Sequence, residues 1–321
     1  MSLARYFIHI GMPRTGSTFL QTKVFPKLSD ISFYGLPYTH FNHAFGRMLF
    51  SDESLYDPKV FTDEIAKLEG EKILLSNENF IGQSMFWAHG NRTRIAERLS
   101  AAMPEATVIL FIRNQLDLLR SLYAIGVYGN IDKKPEEFFW QNKPDYTLEE
   151  YKKNPAIEWE DYALYNTFEA TEHLEGYDYL PLIELYKKHF PNVEVFLFEQ
   201  LQHEPEKVAG RLQAVLDTKF SSEVLEAFTS KEPVNSGVGH KQATWLRQLN
   251  RFRDVAKGNK NAERVYYRSK RFIMDNVDAE EKLDLPNALK DNIRAHFKPL
   301  NQELQERFPS LGVHDYSEKY L

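Results

Sequence analysis

Four short apolar runs rich in β-branched and aromatic residues punctuate the first two thirds of the chain: Tyr6–Ile10, Lys72–Ser76, Thr107–Ile112 and Val193–Phe198. Charges or turn residues bound each run. Segments of helical period lie between and after them, at Ser17–Leu28, Arg92–Met103, Gln115–Ile125, Leu180–Phe190 and Glu204–Leu216. A strand that is apolar along its whole length is buried on both faces, which is the condition of a parallel sheet covered by crossover helices. The alternation therefore predicts an α/β fold with a central parallel sheet flanked by helices in three layers.

After Phe220 the strand signals stop. Helix-period segments follow at Ser222–Thr229, Lys241–Asp254, Ala262–Asn276 and Asn287–Phe308, with Pro286, Pro299 and Pro309 as breaks or kinks. The expected organisation is one α/β domain over residues 1–321, with a core of about 5–220 and a helical C-terminal portion of about 221–321. The stretch from Tyr128 to Tyr179 is polar, aromatic and poorly periodic; such an excursion carries binding residues or is padding.

The chain of 321 residues has no cysteine, which excludes disulfide scaffolds, thiolate metal sites and a cysteine nucleophile. Its 40 Lys and Arg against 46 Asp and Glu give a net charge of −6, which argues against a general nucleic-acid partner but not against a local basic pocket for an anion. No run of 18 apolar residues and no signal-like N-terminus is present, so no integral membrane segment is expected and a cytoplasmic location is the default.

The strongest chemical signal is Tyr6-Phe7-Ile8-His9-Ile10-Gly11-Met12-Pro13-Arg14-Thr15-Gly16-Ser17-Thr18. A strand enters a loop with glycines five apart, and a hydroxyl pair opens a helix. The unpaired N–H groups of a helix start and its dipole attract an anion, Gly16 lets the backbone approach it, and Ser17 and Thr18 add donors. The fold expected from such a loop is P-loop-like. Nucleotide hydrolases of this kind place lysine after the second glycine, where this chain has Ser17; the cation lies inside the loop as Arg14.

The loop resembles that of the 3′-phosphoadenylyl-sulfate (PAPS) sulfotransferases, whose first signature reads roughly Pro-Lys/Arg-x-Gly-Ser/Thr-Ser/Thr and is matched by Pro13-Arg14-Thr15-Gly16-Ser17-Thr18. The family's second signature is a strand-ending arginine with a serine eight residues on. Here Val108–Ile112 runs into Arg113, and Ser121 follows; Gln115 stands where the family usually has proline. Two weaker stretches are also similar, Val195–Leu201 with its Glu199, and Pro233-Val234-Asn235-Ser236 ahead of a helix. The resemblance spans roughly residues 5 to 255.

It implies sulfuryl transfer from PAPS to a hydroxyl or amine, releasing adenosine 3′,5′-bisphosphate, with no metal required. Residues 13–18 would take the 5′-phosphosulfate, and Arg113 and Ser121 the 3′-phosphate, with Ser236 nearby. Several branches of the family draw a glutamate base from the region matching Ser76-Asn77-Glu78-Asn79, which implies Glu78; others use histidine, which leaves His40 and His43 as rivals. Arg14 would steady the leaving phosphate. The acceptor is open among small molecules, glycans and lipids, with Phe138-Phe139-Trp140, Tyr146 and Tyr151 as its candidate wall. His9 reads as a packed strand residue, and the basic run Lys257–Arg271 as a solvated helix face. Two alternatives remain at this point: a P-loop nucleoside or sugar kinase with Arg14 replacing the loop lysine, and a non-catalytic nucleotide-binding scaffold. The sequence leaves the oligomeric state unknown.

Overall fold

The computed structural model describes residues 4–82, 92–139, 174–230, 238–279 and 281–320. Five parallel strands form one sheet in the order β2-β3-β1-β4-β5: β1 is Arg5–Ile10, β2 Ser32–Tyr34, β3 Lys72–Asn77, β4 Thr107–Ile112 and β5 Asn192–Leu197. Helices flank it, and the α/β class expected from the alternation is the one observed. The four apolar runs are β1, β3, β4 and β5, each within a residue of the expected bounds. All six residues of β4 are buried, as a strand covered on both faces requires. The sequence pattern does not mark the edge strand β2, because three half-buried residues are too few for periodicity to register.

The register places the functional loops. Ile10 pairs with Asn77 on one side and Leu110 on the other, so the segments leaving β1, β3 and β4 emerge together at the C-terminal edge of the sheet. That is where open α/β sheets bind ligands. Beneath this edge, Phe7, Leu74, Ile109, Phe111 and Phe196 of the sheet pack on Leu20, Val24 and Phe25 and on Val208, Leu212 and Leu216 of the helix Pro205–Leu216.

The first helix departs from expectation. Residues Ser17–Phe19 are α-helical, Leu20–Val24 form a π-helix and Phe25–Lys27 a 3₁₀ turn, where one α-helix over Ser17–Leu28 was expected. Two local causes combine. The Thr22 hydroxyl donates to the Thr18 carbonyl at 2.7 Å, bending the helix, and Pro26 has no N–H to continue the ladder. In contrast, Pro299 sits inside the long helix Asn287–Arg307 without ending it.

The chain divides into two compact units: residues 1–118, 178–235 and 297–321, which contain the sheet, and residues 119–177 and 236–296, which are helical among the described residues. The helical C-terminal portion expected from residue 221 is thus shared between them. In the helical unit, buried Asn250 donates to the Val127 and Ile131 carbonyls at 2.8 Å each, and the Tyr266 hydroxyl donates to Asn250 at 2.7 Å. Tyr123, Phe138 and Phe139 form a ring cluster with centroids 4.8–6.1 Å apart.

Candidate functional site

The loop after β1 is held in a conformation that its sequence alone would not favour. Arg14 has φ 68°, in the left-handed region that a residue with a Cβ adopts at a cost of about 1–3 kcal/mol. Its carbonyl accepts a hydrogen bond from Nη1 of Arg113 at 3.0 Å, so the residue after β4 stabilises the strained residue after β1. Within the loop, Thr15 Oγ1 donates to the Met12 carbonyl at 2.6 Å, and Ser17 Oγ approaches the same oxygen at 3.2 Å. Thr15 and Ser17 are buried, so these hydroxyls shape the loop from beneath; Thr18 is exposed and Pro13 half-buried.

Both glycines are required by what surrounds them. A Cβ on Gly11 would lie 2.9 Å from Ser17 Oγ and 3.0 Å from Glu78 Cγ; on Gly16, at φ 92°, it would lie 2.9 Å from Leu201. We expect Gly16→Ala to destabilise the fold by about 1–3 kcal/mol, from the left-handed backbone and the close approach together. Chemical denaturation measures this, and an unchanged midpoint would show that the loop relaxes freely.

Three charged side chains converge here. Arg14 and Arg113 are half-buried, and the Arg14 guanidinium is held below its ordinary pKa by burial and then by Arg113, with Glu78 acting in the opposite direction. The Arg113 guanidinium also lies over the Phe198 ring at 4.7 Å. Glu78 opens the 3₁₀ turn Glu78–Ile81, capped by Asn77, whose Oδ1 accepts from the Asn79 N–H at 2.8 Å. Burial raises the Glu78 pKa; the nearby Arg14 charge and a hydrogen bond from Ser17 offset part of that rise. Two guanidinium groups half-removed from water on one sheet edge, with one partly desolvated carboxylate, form a site that attracts an anion and can also take up a proton.

Behind Arg113 lies a set of buried residues that the sequence did not reveal. The Asn114 N–H donates to Glu199 at 2.9 Å, and the Tyr320 hydroxyl donates to the other Glu199 oxygen at 2.8 Å. Asn114 Nδ2 donates to the Lys319 carbonyl, and the Tyr179 hydroxyl donates to the carbonyl of Arg113 itself. Gln115 makes a reciprocal amide pair with Asn301 at 2.9 and 3.0 Å, and Asn301 reaches the Tyr320 carbonyl at 3.1 Å. This gives a physical reason for glutamine where the resembled family has proline: its side-chain amide ties this turn to the C-terminal segment. Only a weak resemblance marks Glu199 in the sequence, and nothing in the periodicity marks Tyr179 or Tyr320.

Other expected residues fall differently. Ser121 is half-buried on the helix Gln115–Tyr128 and belongs to the helical unit. Ser236 and the Pro233–Ser236 stretch lie outside the described residues, as do Trp140, Tyr146 and Tyr151. Phe138 and Phe139 are buried in the ring cluster of the helical unit, so they pack its core rather than line an open wall. His9 is packed as expected: its Nδ1 shares a hydrogen bond with Ser76 Oγ at 2.7 Å, Gln21 donates to the same oxygen at 2.8 Å, and burial pushes the imidazole down to about 3. His40 lies on the short helix Tyr38–Phe41, which is tied to the end of β3 by Thr39 Oγ1 donating to the Ser76 carbonyl and Asn77 Nδ2 donating to the Thr39 carbonyl. It therefore shares the sheet edge with Glu78, and burial lowers its pKa. His43 begins the next helix. Among the described residues, no group of three or more His, Asp or Glu is arranged to hold a metal ion.

Neither a protein-family model nor a curated protein matches the chain. Among solved structures, it is similar to a sulfotransferase from Alicyclobacillus acidocaldarius, with 18% identity, 71% of this chain and 91% of that chain covered, and a TM-score of 0.40. It is also similar to mouse sulfotransferase SULT7A1 complexed with PAP, with 10% identity, 99% and 90% covered, and a TM-score of 0.37.

Proposed function

We propose that this chain is a sulfotransferase that moves a sulfuryl group from PAPS to a hydroxyl or amine acceptor. The observation that carries the reading is the convergence of Arg14, Arg113 and Glu78 at the sheet edge, joined by the 3.0 Å bond from Arg113 to the Arg14 carbonyl. Arg113 offers a fixed fork of donors for the 3′-phosphate, and Arg14 with the loop amides suits the 5′-phosphosulfate. Ser121 and Ser236 join the donor site in this reading. A loop with Ser17 in place of lysine is poorly suited to a nucleoside triphosphate with magnesium.

In the proposed reaction Glu78 takes the proton of the acceptor, the acceptor oxygen or nitrogen forms a bond to sulfur, and the sulfur–oxygen bond to the 5′-phosphate breaks in line with it. The leaving adenosine 3′,5′-bisphosphate gains the electron pair, and Arg14 stabilises that charge. Glu78 suits the task because burial disfavours its ionised form, so a proton arriving there is welcome. The acceptor is a small molecule, a glycan or a lipid.

Calorimetric titration with adenosine 3′,5′-bisphosphate, beside ATP with magnesium, tests the donor. We expect tight bisphosphate binding and weak ATP binding. Tight ATP binding alone would replace this reading with a kinase.

A further inference from the structure

The segment from His240 to Asn276, entirely within the helical unit, carries ten Lys and Arg against three Asp and Glu in a chain whose net charge is −6; Lys241 pairs with Asp278 just beyond it and Arg271 with Asp275, which leaves a net positive surface. The same segment displays six large hydrophobic side chains to solvent: Trp245, Phe252, Val255, Val265, Tyr267 and Phe272. The two properties interleave. At the connection between helices, Phe252 (64% exposed) and Val255 (82% exposed) stand three residues apart around the short helix Arg253–Ala256, flanked in sequence by Arg251, Arg253, Lys257 and Lys260. Gly258, at φ 85° in the following turn, has no atom within 4 Å of where a Cβ would stand, so that side of the turn faces open space.

The next helix, Lys260–Asn276, buries Tyr266 and Ile273 on one face. Arg264, Val265, Arg268, Arg271 and Phe272 are exposed, and Val265, Arg268 and Phe272 follow at i, i+3 and i+7 along one stripe.

We propose that this surface docks on an anionic lipid bilayer, with Phe252 and Val255 entering the headgroup–acyl boundary and the surrounding Arg and Lys side chains meeting lipid phosphates and carboxylates. The chemistry discriminates among occupants. A second copy of the same surface would set positive charge against positive charge. A nucleic acid would satisfy the cations but give an exposed Val255 no apolar partner, whereas a bilayer interface offers negative charge and hydrocarbon together. The proposal is independent of the sulfotransferase reading.

The test is co-sedimentation of the full chain with phosphatidylcholine vesicles, with and without phosphatidylserine, at low salt. Wild type should sediment only with the serine-lipid vesicles. F252S/V255S should bind them about tenfold or more weakly, because the buried apolar area is lost. R264E/R268E should bind about a hundredfold or more weakly, because two charges are reversed, a net change of four units. All these positions are exposed, so thermal midpoints should match wild type and separate lost docking from lost folding. No phosphatidylserine-dependent sedimentation of wild type would overturn the proposal. So would F252S/V255S binding as well as wild type while duplex DNA competes the protein off, an outcome that makes the surface a general polyanion patch.

Discussion

Replacing Arg113 by alanine should weaken adenosine 3′,5′-bisphosphate by a factor on the order of 10²–10³, while adenosine 5′-phosphate weakens by about tenfold or less. The asymmetry follows from the two tasks of one guanidinium. Nη1 donates to the Arg14 carbonyl at 3.0 Å, and the same guanidinium is the group proposed for the 3′-phosphate. Loss of the whole side chain removes the 3′-phosphate contacts outright. It also releases the strained Arg14, which affects both nucleotides through the shared 5′ end. Arg113→Lys keeps the charge but not the fork, so it should fall between the two. Calorimetry on the pair of nucleotides reads the difference directly; equal weakening of both would remove Arg113 from the 3′-phosphate site. Tyr320→Phe should give the same signature in weaker form. It takes away one of the two donors that Glu199 has among the described residues, and Glu199 in turn holds the Asn114 N–H beside Arg113.

The residues of this arrangement differ in how far they were legible beforehand. Strands β1, β3, β4 and β5 announce themselves because their burial on both faces leaves long apolar runs, and burial is what hydrophobic patterning encodes. Arg113 was legible because it directly follows such a strand, Arg14 because it stands in the glycine-bearing loop four residues past β1, and Glu78 because it follows β3 where the resemblance implies a base. What joins them was not legible. The bond between Arg113 and the Arg14 carbonyl spans 99 positions and depends on a left-handed backbone at a non-glycine residue. The Glu199–Tyr320 contact spans 121 positions and buries groups that composition counts as surface-seeking. Long-range polar contacts have no period, so they leave no trace in a pattern. The π-helix at Leu20–Val24 was hidden for a different reason: its sequence has helical period, and the deviation comes from one threonine hydroxyl and one proline.

Substituting Glu78 by glutamine should lower turnover by a factor on the order of 10³ and leave bisphosphate affinity within a few-fold of wild type. Glutamine keeps the shape beside Gly11 and Ser17 but cannot accept a proton from the acceptor. The pH dependence sharpens the test. Burial raises the Glu78 pKa, and Arg14 and Ser17 only partly reverse that rise, so the wild-type rate should climb with pH through an inflection above the usual carboxylate range. Ser17 has one hydroxyl proton for two acceptors. It turns to ionised Glu78 or stays on the Met12 carbonyl, where 3.2 Å is a long bond. Stability should run the other way. A carboxyl group whose folded pKa exceeds its unfolded one holds a proton in the native state that the unfolded chain has already lost, so its contribution is greatest below the unfolded pKa and diminishes as pH rises through the folded one. Glu78→Gln carries no such penalty. Its thermal midpoint should therefore exceed that of wild type at neutral pH and converge with it at acid pH, while its activity stays low across the range. A Glu78→Gln enzyme that turned over normally, with an inflection in the histidine range, would assign the base to His40 on the same sheet edge.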